Sequence, residues 1–474
     1  MLSKRTTDGR HQLEIVAIDD LVPQDHLVRK LDKAIDFDFI YDLVADYYSP
    51  DNGRPSIDPV VLIKIALIQY IFGIRSMRQT IKEIETNVAY RWFLGYDLTE
   101  KIPHFTTFGK NYVRRFKDTD LFETIFYRIL KEAVEQGFVD PEVVFIDSTH
   151  VKAHANKKKW IKKKVRAATR DYQAQLLDEI NADRVSRGKK PLALKTTEET
   201  KEVKQSTTDP ESGYFVKNER ERLFAYSYHT ACDKNGFVLG AIVEPSNIHD
   251  SQVFKALFDQ IKTKVGKPLA VALDAGYKTP YISKLLMDEN IRPVMPYTRP
   301  QTKKGFFRKH DYVYDEYYDC YICPAGQTLE YVTTTREGYR QYKSNPEKCQ
   351  QCPMLSQCTH SLNHTKIINR HIWQDYLDEV DHLRHTQENR EIYAMRKETI
   401  ERVFADLKEK HGMRWTTLRG KAKNTMQAML VFAAMNLKKL ATWKWRTSGS
   451  PNFFAFFIKK PLLNLRFNRG LSAV

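Results

Sequence analysis

The sequence predicts an α/β protein, a mixed sheet covered by helices and preceded by an all-α N-terminal domain. Three observations carry this. Residues Leu27 to about Leu130 keep a helical period; after Asp140 the period changes to short continuous apolar runs; and those runs alternate with amphipathic segments as strand, hairpin, helix, strand, helix, strand. The boundaries that follow are 1–135 for the helical domain, 140–445 for the sheet domain and 446–474 for a basic, aromatic tail. A basic insert at 156–217 and a cysteine-rich insert at 301–371 interrupt the sheet domain.

In the helical domain, Asp58-Pro59 is an N-cap and first-turn pair. Val60, Ile63, Leu67, Ile68, Ile71 and Phe72 then recur at helical spacing. Shorter helices are expected over Met77–Glu85 and Val88–Leu94. A further one, opened by Thr106 or Thr107, carries Lys110, Arg114, Arg115 and Lys117, and reads either as part of a helix-turn-helix or as a bundle helix with a solvated basic face. In the sheet domain Val143–Ile146 is a run buried on both faces that ends at Asp147. Leu223–Cys232 and Phe237–Val243 form a hairpin through Asp233-Lys234-Asn235-Gly236, whose Asn-Gly pair is a turn signal. A helix over Ser251–Val265, a strand over Leu269–Leu273 ending at Asp274, a helix near Tyr281–Met287 and a strand near Arg292–Tyr297 complete the alternation. Helix resumes near Gln374 and runs, with breaks, to about Trp445.

The chain has 474 residues with 76 Lys+Arg against 59 Asp+Glu, a formal charge of +17, and 42 % hydrophobic residues. It can therefore build large cores, and its charge argues for a polyanionic partner, nucleic acid by default. Residues Met1–Gln12 lack the apolar segment of a signal peptide. Lys64 and Gln69 interrupt the most apolar stretch, Val60–Ile74, which falls short of the roughly 20 residues of a membrane span. The expectation is a cytoplasmic protein with no membrane partner. Lys157–Arg170 holds eight Lys/Arg and no acid, with Trp160 among them; it either tracks a DNA backbone while Trp160 stacks a base, or is a solvated insert. The tail, Arg446–Val474, has no acidic residue and is open to three readings: a nucleic-acid contact, a docking segment or a loose end.

Two constellations carry chemistry. Asp147 and Asp274 each close an apolar strand, where ligands gather in α/β sheets, although a strand-end Asp also starts ordinary turns. Glu401 lies beside the apolar stripe Ile400, Val403, Phe404, Leu407, with Lys408 two turns on along the same face; Glu398 and Asp406 compete with it on pattern alone. Three converging carboxylates suit a hard divalent ion pair of the kind that cleaves phosphodiesters. The second constellation is Cys320-x2-Cys323 and Cys349-x2-Cys352 with Cys358, enough thiols for a tetrahedral zinc site. An iron–sulfur cluster and uncoordinated thiols are the alternatives. Cys232 reads as an ordinary buried strand residue, and His229 and His249, close in sequence to the sheet core, either approach the site or, as the better reading, are hydrogen-bonded structural histidines.

Ile146-Asp147-Ser-Thr, Asp274-Ala-Gly-Tyr and Tyr393-x2-Arg396-x4-Glu401-x6-Lys408, followed by His411-Gly412 and Leu418-Arg419-Gly420, together resemble the DDE transposases of bacterial insertion sequences. Gly53-Arg54-Pro55 and Pro245-Ser-Asn247-Ile-His249-Asp250-Ser251 add to the resemblance, which spans almost the whole chain. The family's helix signature has three residues between Arg and Glu; this chain has four. The resemblance implies a ribonuclease-H-like core with Asp147, Asp274 and Glu401 binding Mg2+ or Mn2+, while the cysteine spacing makes the insert zinc-ribbon-like. It also implies Tyr393, Arg396 and Lys408 on DNA, cleavage at element ends and strand transfer into target DNA. Double-stranded DNA is the implied partner: terminal inverted repeats, bound by the helical domain with Lys110, Arg114 and Arg115, and target DNA, in a nucleoid-associated homo-oligomer. A non-catalytic DNA-binding descendant and a metal-dependent nuclease that does not join strands remain the alternatives.

Overall fold

A computed structural model describes residues 13–49, 56–166, 172–193, 200–217, 221–298 and 302–448. The Met1–Gln12 segment, the Gly53-Arg54-Pro55 motif, part of each insert and all of the tail after Ser448 lie outside the described residues.

The N-terminal part is helical: α1 Leu27–Ala34, α2 Phe39–Val44, α3 Pro59–Ile71, α4 Met77–Thr86, α5 Val88–Leu94, α6 Thr106–Asn111 and α7 Leu121–Glu135. The local chemistry is the expected one for α3, where the Asp58 carboxylate accepts from the Val60 and Val61 N–H groups and Pro59 opens the first turn. Helix α3 is buried almost all round, with Leu62, Ile63, Ile65, Ala66, Leu67 and Ile68 in the core. Ser76 and Asn87 cap α4 and α5 with their side chains. The basic segment departs from expectation. It is not one regular helix, because α6 gives way to a π-helical turn over Tyr112–Phe116 that puts both aromatic ends in the core. Lys110 and Arg114 are exposed. Arg115 instead lies over the Tyr48 ring at 4.5 Å.

The strands are β1 Val143–Lys152, β2 Trp160–Arg166, β3 Thr200–Ser206, β4 Gly213–Val216, β5 Arg222–Cys232, β6 Val238–Pro245, β7 Ala270–Ala272 and β8 Arg292–Val294. Strand β5 runs antiparallel to β1 on one side and to β4 and β6 on the other. Strands β1, β7 and β8 are parallel. The main sheet is therefore mixed, as expected, and the Asn235-Gly236 turn joins β5 to β6 with Gly236 at φ +72°, a conformation that favours glycine. The basic insert is more ordered than a solvated loop: β2 and β3 pair antiparallel along their whole length, and α8, Gln173–Ser186, lies between them in sequence. Helices α9 Asp250–Lys264 and α10 Pro280–Asp288 follow β6 and β7.

The cysteine-rich insert folds as a five-stranded antiparallel sheet of β9 Val313–Asp315, β10 Cys320–Ile322, β11 Thr328–Thr334, β12 Tyr339–Ser344 and β13 Ile367–His371. Two short helices, α11 Pro346–Gln350 and α12 Leu355–Cys358, cross between β12 and β13. Helix α8 of the basic insert docks on this sheet. Its Asp183 carboxylate accepts from Thr334 Oγ1 at 2.6 Å and pairs with Arg340 at 2.7 Å. The chain ends in α13 Gln374–Leu383, α14 Gln387–Ala394, α15 Ile400–Glu409 and α16 Lys421–Ser448.

Helix α16 packs against α1, α3 and α7 and against β6, so one continuous apolar core runs from Val22 to Ala441. The contact with β6 is polar as well as apolar. A bulge interrupts the β5–β6 ladder near Cys232. Beside it, Asn436 of α16 accepts from Val238 N–H at 2.9 Å and donates to Val238 C=O at 2.8 Å. Lys439 caps the hairpin by donating to the Asn235 and Gly236 carbonyls at 2.6 and 2.8 Å. Replacing Asn436 by Leu leaves two fully buried backbone groups unpaired, and urea denaturation is expected to show a loss of about 2 kcal/mol or more.

The loop after α15 touches α3. His411 Nδ1 lies 2.8 Å from the Tyr70 carbonyl, and a Cβ on Gly73 would meet the Lys410 carbonyl oxygen at 2.5 Å. Burial depresses the His411 pKa to about 4. The unfolded chain then binds a proton that the folded chain refuses, so this part of the stability is complete above about pH 6.5 and is lost as pH falls toward 4. Half-buried His150 and buried His229 act in the same direction, with pKa values lowered to about 4 and 3. Relative to wild type, His411→Gln is expected to lose less stability in urea on going from about pH 7 to about pH 5, since the buried carboxyls that titrate in this window are common to both.

Candidate active site

Asp147 does not end its strand, as the apolar run suggested; β1 continues to Lys152. What ends is its parallel neighbour. The last β1–β7 pair is Phe145 with Ala272, and Asp147 and Asp274 each stand two residues beyond it. The two carboxylates thus leave adjacent parallel strands at the same level, Asp147 still paired through its backbone with Thr230 of β5. Asp274 turns the chain, its Oδ1 accepting from Gly276 N–H at 2.9 Å.

A third acid joins them from the start of α9. Asp250 Oδ1 accepts from Ser148 Oγ at 3.0 Å, while Ser148 N–H donates to Asp147 Oδ1 at 2.7 Å, so one serine spans both carboxylates. Gly276 lies between Asp250 and Asp274: a Cβ there would stand 3.2 Å from Asp274 Oδ1 and 3.5 Å from Asp250 Oδ2. Asp250 belongs to the Pro245-to-Ser251 motif, but nothing local marks a first-turn helix acid as more than a dipole partner. His229, fully buried on β5, faces this group with Nδ1 3.3 Å from the Tyr277 hydroxyl and 3.7 Å from Asp250 Oδ1. His249 is structural, its side chain capping α9.

Burial pushes the Asp147 pKa up to about 6; the Arg396 cation opposes this, and the Asp274 and Asp250 charges reinforce it. Burial raises the Asp250 carboxyl as well, with Asp274 adding to it. Arg396 Nη2 donates to Asp147 Oδ2 at 2.5 Å, and the arginine is 4 % exposed. Its Nη1 is buried without a partner, one arm of the fork left to donate.

The helical signature is not one helix. Helix α14 ends at Ala394, a 3-10 turn covers Met395–Lys397, and α15 starts at Ile400 after Thr399 breaks the spiral at φ −107°, ψ −98°. Four residues, Lys397, Glu398, Thr399 and Ile400, separate Arg396 from Glu401, and the break falls at the third of them. Arg396 thereby points inward while Glu401, in the first turn of α15, is exposed. Glu401 shares a cavity of about 460 Å³ with Tyr393, Arg396, Arg390, Lys397 and Tyr297, a wall rich in cations. Tyr393 connects the two places, since Asp274, Asp147 and Glu401 all act on its hydroxyl, which burial raises. Lys408 sits farther along β1: it is half-buried and helps depress the pKa of His150.

Among the described residues no three Asp, Glu, His or Cys side chains are arranged to hold a metal. The carboxylates present are nonetheless the hard oxygen donors that Mg2+ or Mn2+ takes. Of the other expected contacts, Trp160 is 37 % exposed, with Lys204 4.3 Å over its ring. Cys323, Cys349, Cys352 and Cys358 line one small cavity, and Cys320 is not on its wall. Cys232 is buried, as expected, and burial lifts its thiol well above the usual range. Replacing Arg396 by Gln removes the cation that restrains Asp147, so carboxyl NMR titration is expected to find the Asp147 pKa raised further above about 6.

Among the described residues no helix is long and apolar enough to cross a membrane. No curated protein matches the chain. Two family models do: a transposase domain (DUF772) over residues 16–114 and a Transposase DDE domain over residues 322–441. The second includes Tyr393, Arg396, Glu401 and Lys408 and starts after Asp147 and Asp274. Together these matches to the helical region and to the α14–α16 region support a bacterial insertion-sequence transposase.

Proposed function

We propose that the chain is a DDE transposase that cuts the ends of its own element and joins the freed 3′ hydroxyls to target DNA. The observation that carries this reading is the Asp147–Asp274 pair, level with each other on parallel strands and next to a cation-lined cavity with Glu401 on its wall. The strand order β6-β5-β1-β7-β8, with β5 alone reversed, supports a ribonuclease-H-like core.

In this reading water attacks the phosphorus at the element end and the bond to the 3′ oxygen breaks. The freed 3′ hydroxyl, losing its proton, then attacks a target phosphodiester in line, and the bond from that phosphorus to the target's own 3′ oxygen breaks to leave a target 3′ hydroxyl, with no covalent protein intermediate. Asp147 and Asp274 would hold a Mg2+- or Mn2+-class ion, with Glu401 as the third acid. When bound, such an ion acidifies the attacking hydroxyl and offsets charge on the leaving oxygen. Arg396 presents its unpaired Nη1 to a phosphate oxygen, Tyr393 packs beside it, and Lys408 grips the backbone farther along β1. The exposed Lys110 and Arg114 and the lysines around Trp160 extend the phosphate contacts, and the helical domain binds the inverted repeats as part of a homo-oligomer.

The test is cleavage and strand transfer on a duplex carrying the element's own end, with Mg2+ or Mn2+. Wild type is expected to cut and join. Asp147→Asn, Asp274→Asn and Glu401→Gln are expected to fall to background while still binding DNA. Joining that survives in Glu401→Gln but is lost in Asp250→Asn would make Asp250 the third acid. Cutting without joining in the wild type would leave a nuclease, and binding without cutting would leave a DNA-binding protein.

A further inference from the structure

We propose that Cys323, Cys349, Cys352 and Cys358 are the four ligands of a structural zinc ion that staples the cysteine-rich module, and that Cys320 is not a ligand. The inference is independent of the reaction assigned to the carboxylates.

The module is poor in apolar core. Its separate buried cluster is Tyr312, Tyr321, Leu329, Tyr342 and Ile368, three of them tyrosines with hydroxyls to satisfy. Modules with so little apolar burial commonly rely on a staple such as a metal. At the edge of this cluster, where Cys323 and Cys358 pack on it, lies a cavity of about 30 Å³. It admits a single ion or water and is far too small for an organic ligand. Four of its lining side chains are the free thiols of Cys323, Cys349, Cys352 and Cys358.

The backbone around these thiols is already shaped for ligation. Cys323 closes a tight turn, with Gly326 N–H donating to its carbonyl at 2.8 Å and Gln327 N–H donating to its Sγ at 3.4 Å. A backbone amide aimed at sulfur stabilises a thiolate and orients it. Cys349 and Cys352 sit on a second turn, linked by Cys352 N–H to Cys349 C=O at 3.1 Å. The Tyr312 hydroxyl lies 3.2 Å from Cys358 Sγ. Lys348 and Lys366 also line the cavity, and their charges offset the double negative charge of a zinc tetrathiolate.

Cys320 lies in the opposite environment. It is buried on β10 opposite Asp315, off the cavity wall. Burial first, and then its acidic neighbours Asp315, Asp319 and Glu330, disfavour a thiolate there. The four cavity thiols do not yet converge, as no metal-holding group is formed among the described residues. Metal binding supplies the free energy that draws the thiols together. Four thiolates select zinc over the hard ions proposed for the carboxylates.

The test uses the full-length protein purified without chelators or a metal-binding tag. Elemental analysis is expected to find one zinc per chain, kept in Cys320→Ser and lost in Cys323→Ser and in Cys352→Ser. Because a ligand variant can misfold, the wild type and Cys320→Ser are also loaded with Co2+; both should give the thiolate charge-transfer absorption of a four-sulfur site. Iron, or no bound metal, in the wild type would overturn the proposal. So would loss of zinc in Cys320→Ser, or a cobalt spectrum with fewer than four sulfurs.

Discussion

The burial of helix α16 is the constraint on which the rest of this structure depends. Ala428, Leu430, Val431, Phe432, Ala433, Ala434, Leu437 and Leu440 are all fully buried, so this helix has almost no solvent face along its middle turns. It belongs at once to the helical N-terminal layer and to the sheet. The same helix that pairs Asn436 with the bulged edge of β6 sends Lys438 to the Ile71 carbonyl and Lys444 to the Ala34 carbonyl, at 3.1 Å each. Those carbonyls are at helix C-termini, where backbone acceptors lack partners and cations are favoured. The helical region and the sheet therefore share one core. The route from α3 through His411 to α15 adds a second link, between the N-terminal helices and the helix that carries Glu401 and Lys408.

Within that frame the acidic site is a balance of burial and charge. Three carboxylates gathered from β1, the turn after β7 and the start of α9 repel one another, and burial of Asp147 sharpens the repulsion. Arg396 is what the protein itself supplies against it. The break at Thr399 matters for this reason: a continuous helix would carry Arg396 and Glu401 round one regular spiral. The broken one turns Arg396 inward to Asp147 and leaves Glu401 on the cavity wall.

The two inserts are not independent decorations. Asp183 of α8 joins Arg340 and Thr334 of the cysteine-rich sheet, and Arg184 donates to the Thr334 carbonyl at 2.7 Å. Tyr172, just before α8, stacks on Tyr281 of α10 at 3.9 Å. Helix α8 of the basic insert is thus anchored both to the cysteine-rich module and to the helix that follows β7.

What the sequence by itself determined is local. The caps of α3, the Asn-Gly hairpin, the apolar runs of β1 and β7 and the amphipathic stripe of α15 each follow from side-chain periodicity and turn chemistry within a few residues. Those patterns marked Asp147 and Asp274 as candidates, left Glu401 in competition with Glu398 and Asp406, and gave the order of elements outside the two inserts. Tertiary structure alone decided which groups meet. Asp250 reaches Ser148 across 102 positions and Arg396 reaches Asp147 across 249, and no periodicity encodes such encounters. The same holds for Cys320, equal to its neighbour Cys323 in spacing and yet off the cavity that the other four thiols share. Local pattern sets how the backbone bends, because it acts through neighbouring dihedrals and hydrogen bonds. Which carboxylates are desolvated together, which cation restrains them and which sulfurs face one hole are set by packing between distant segments.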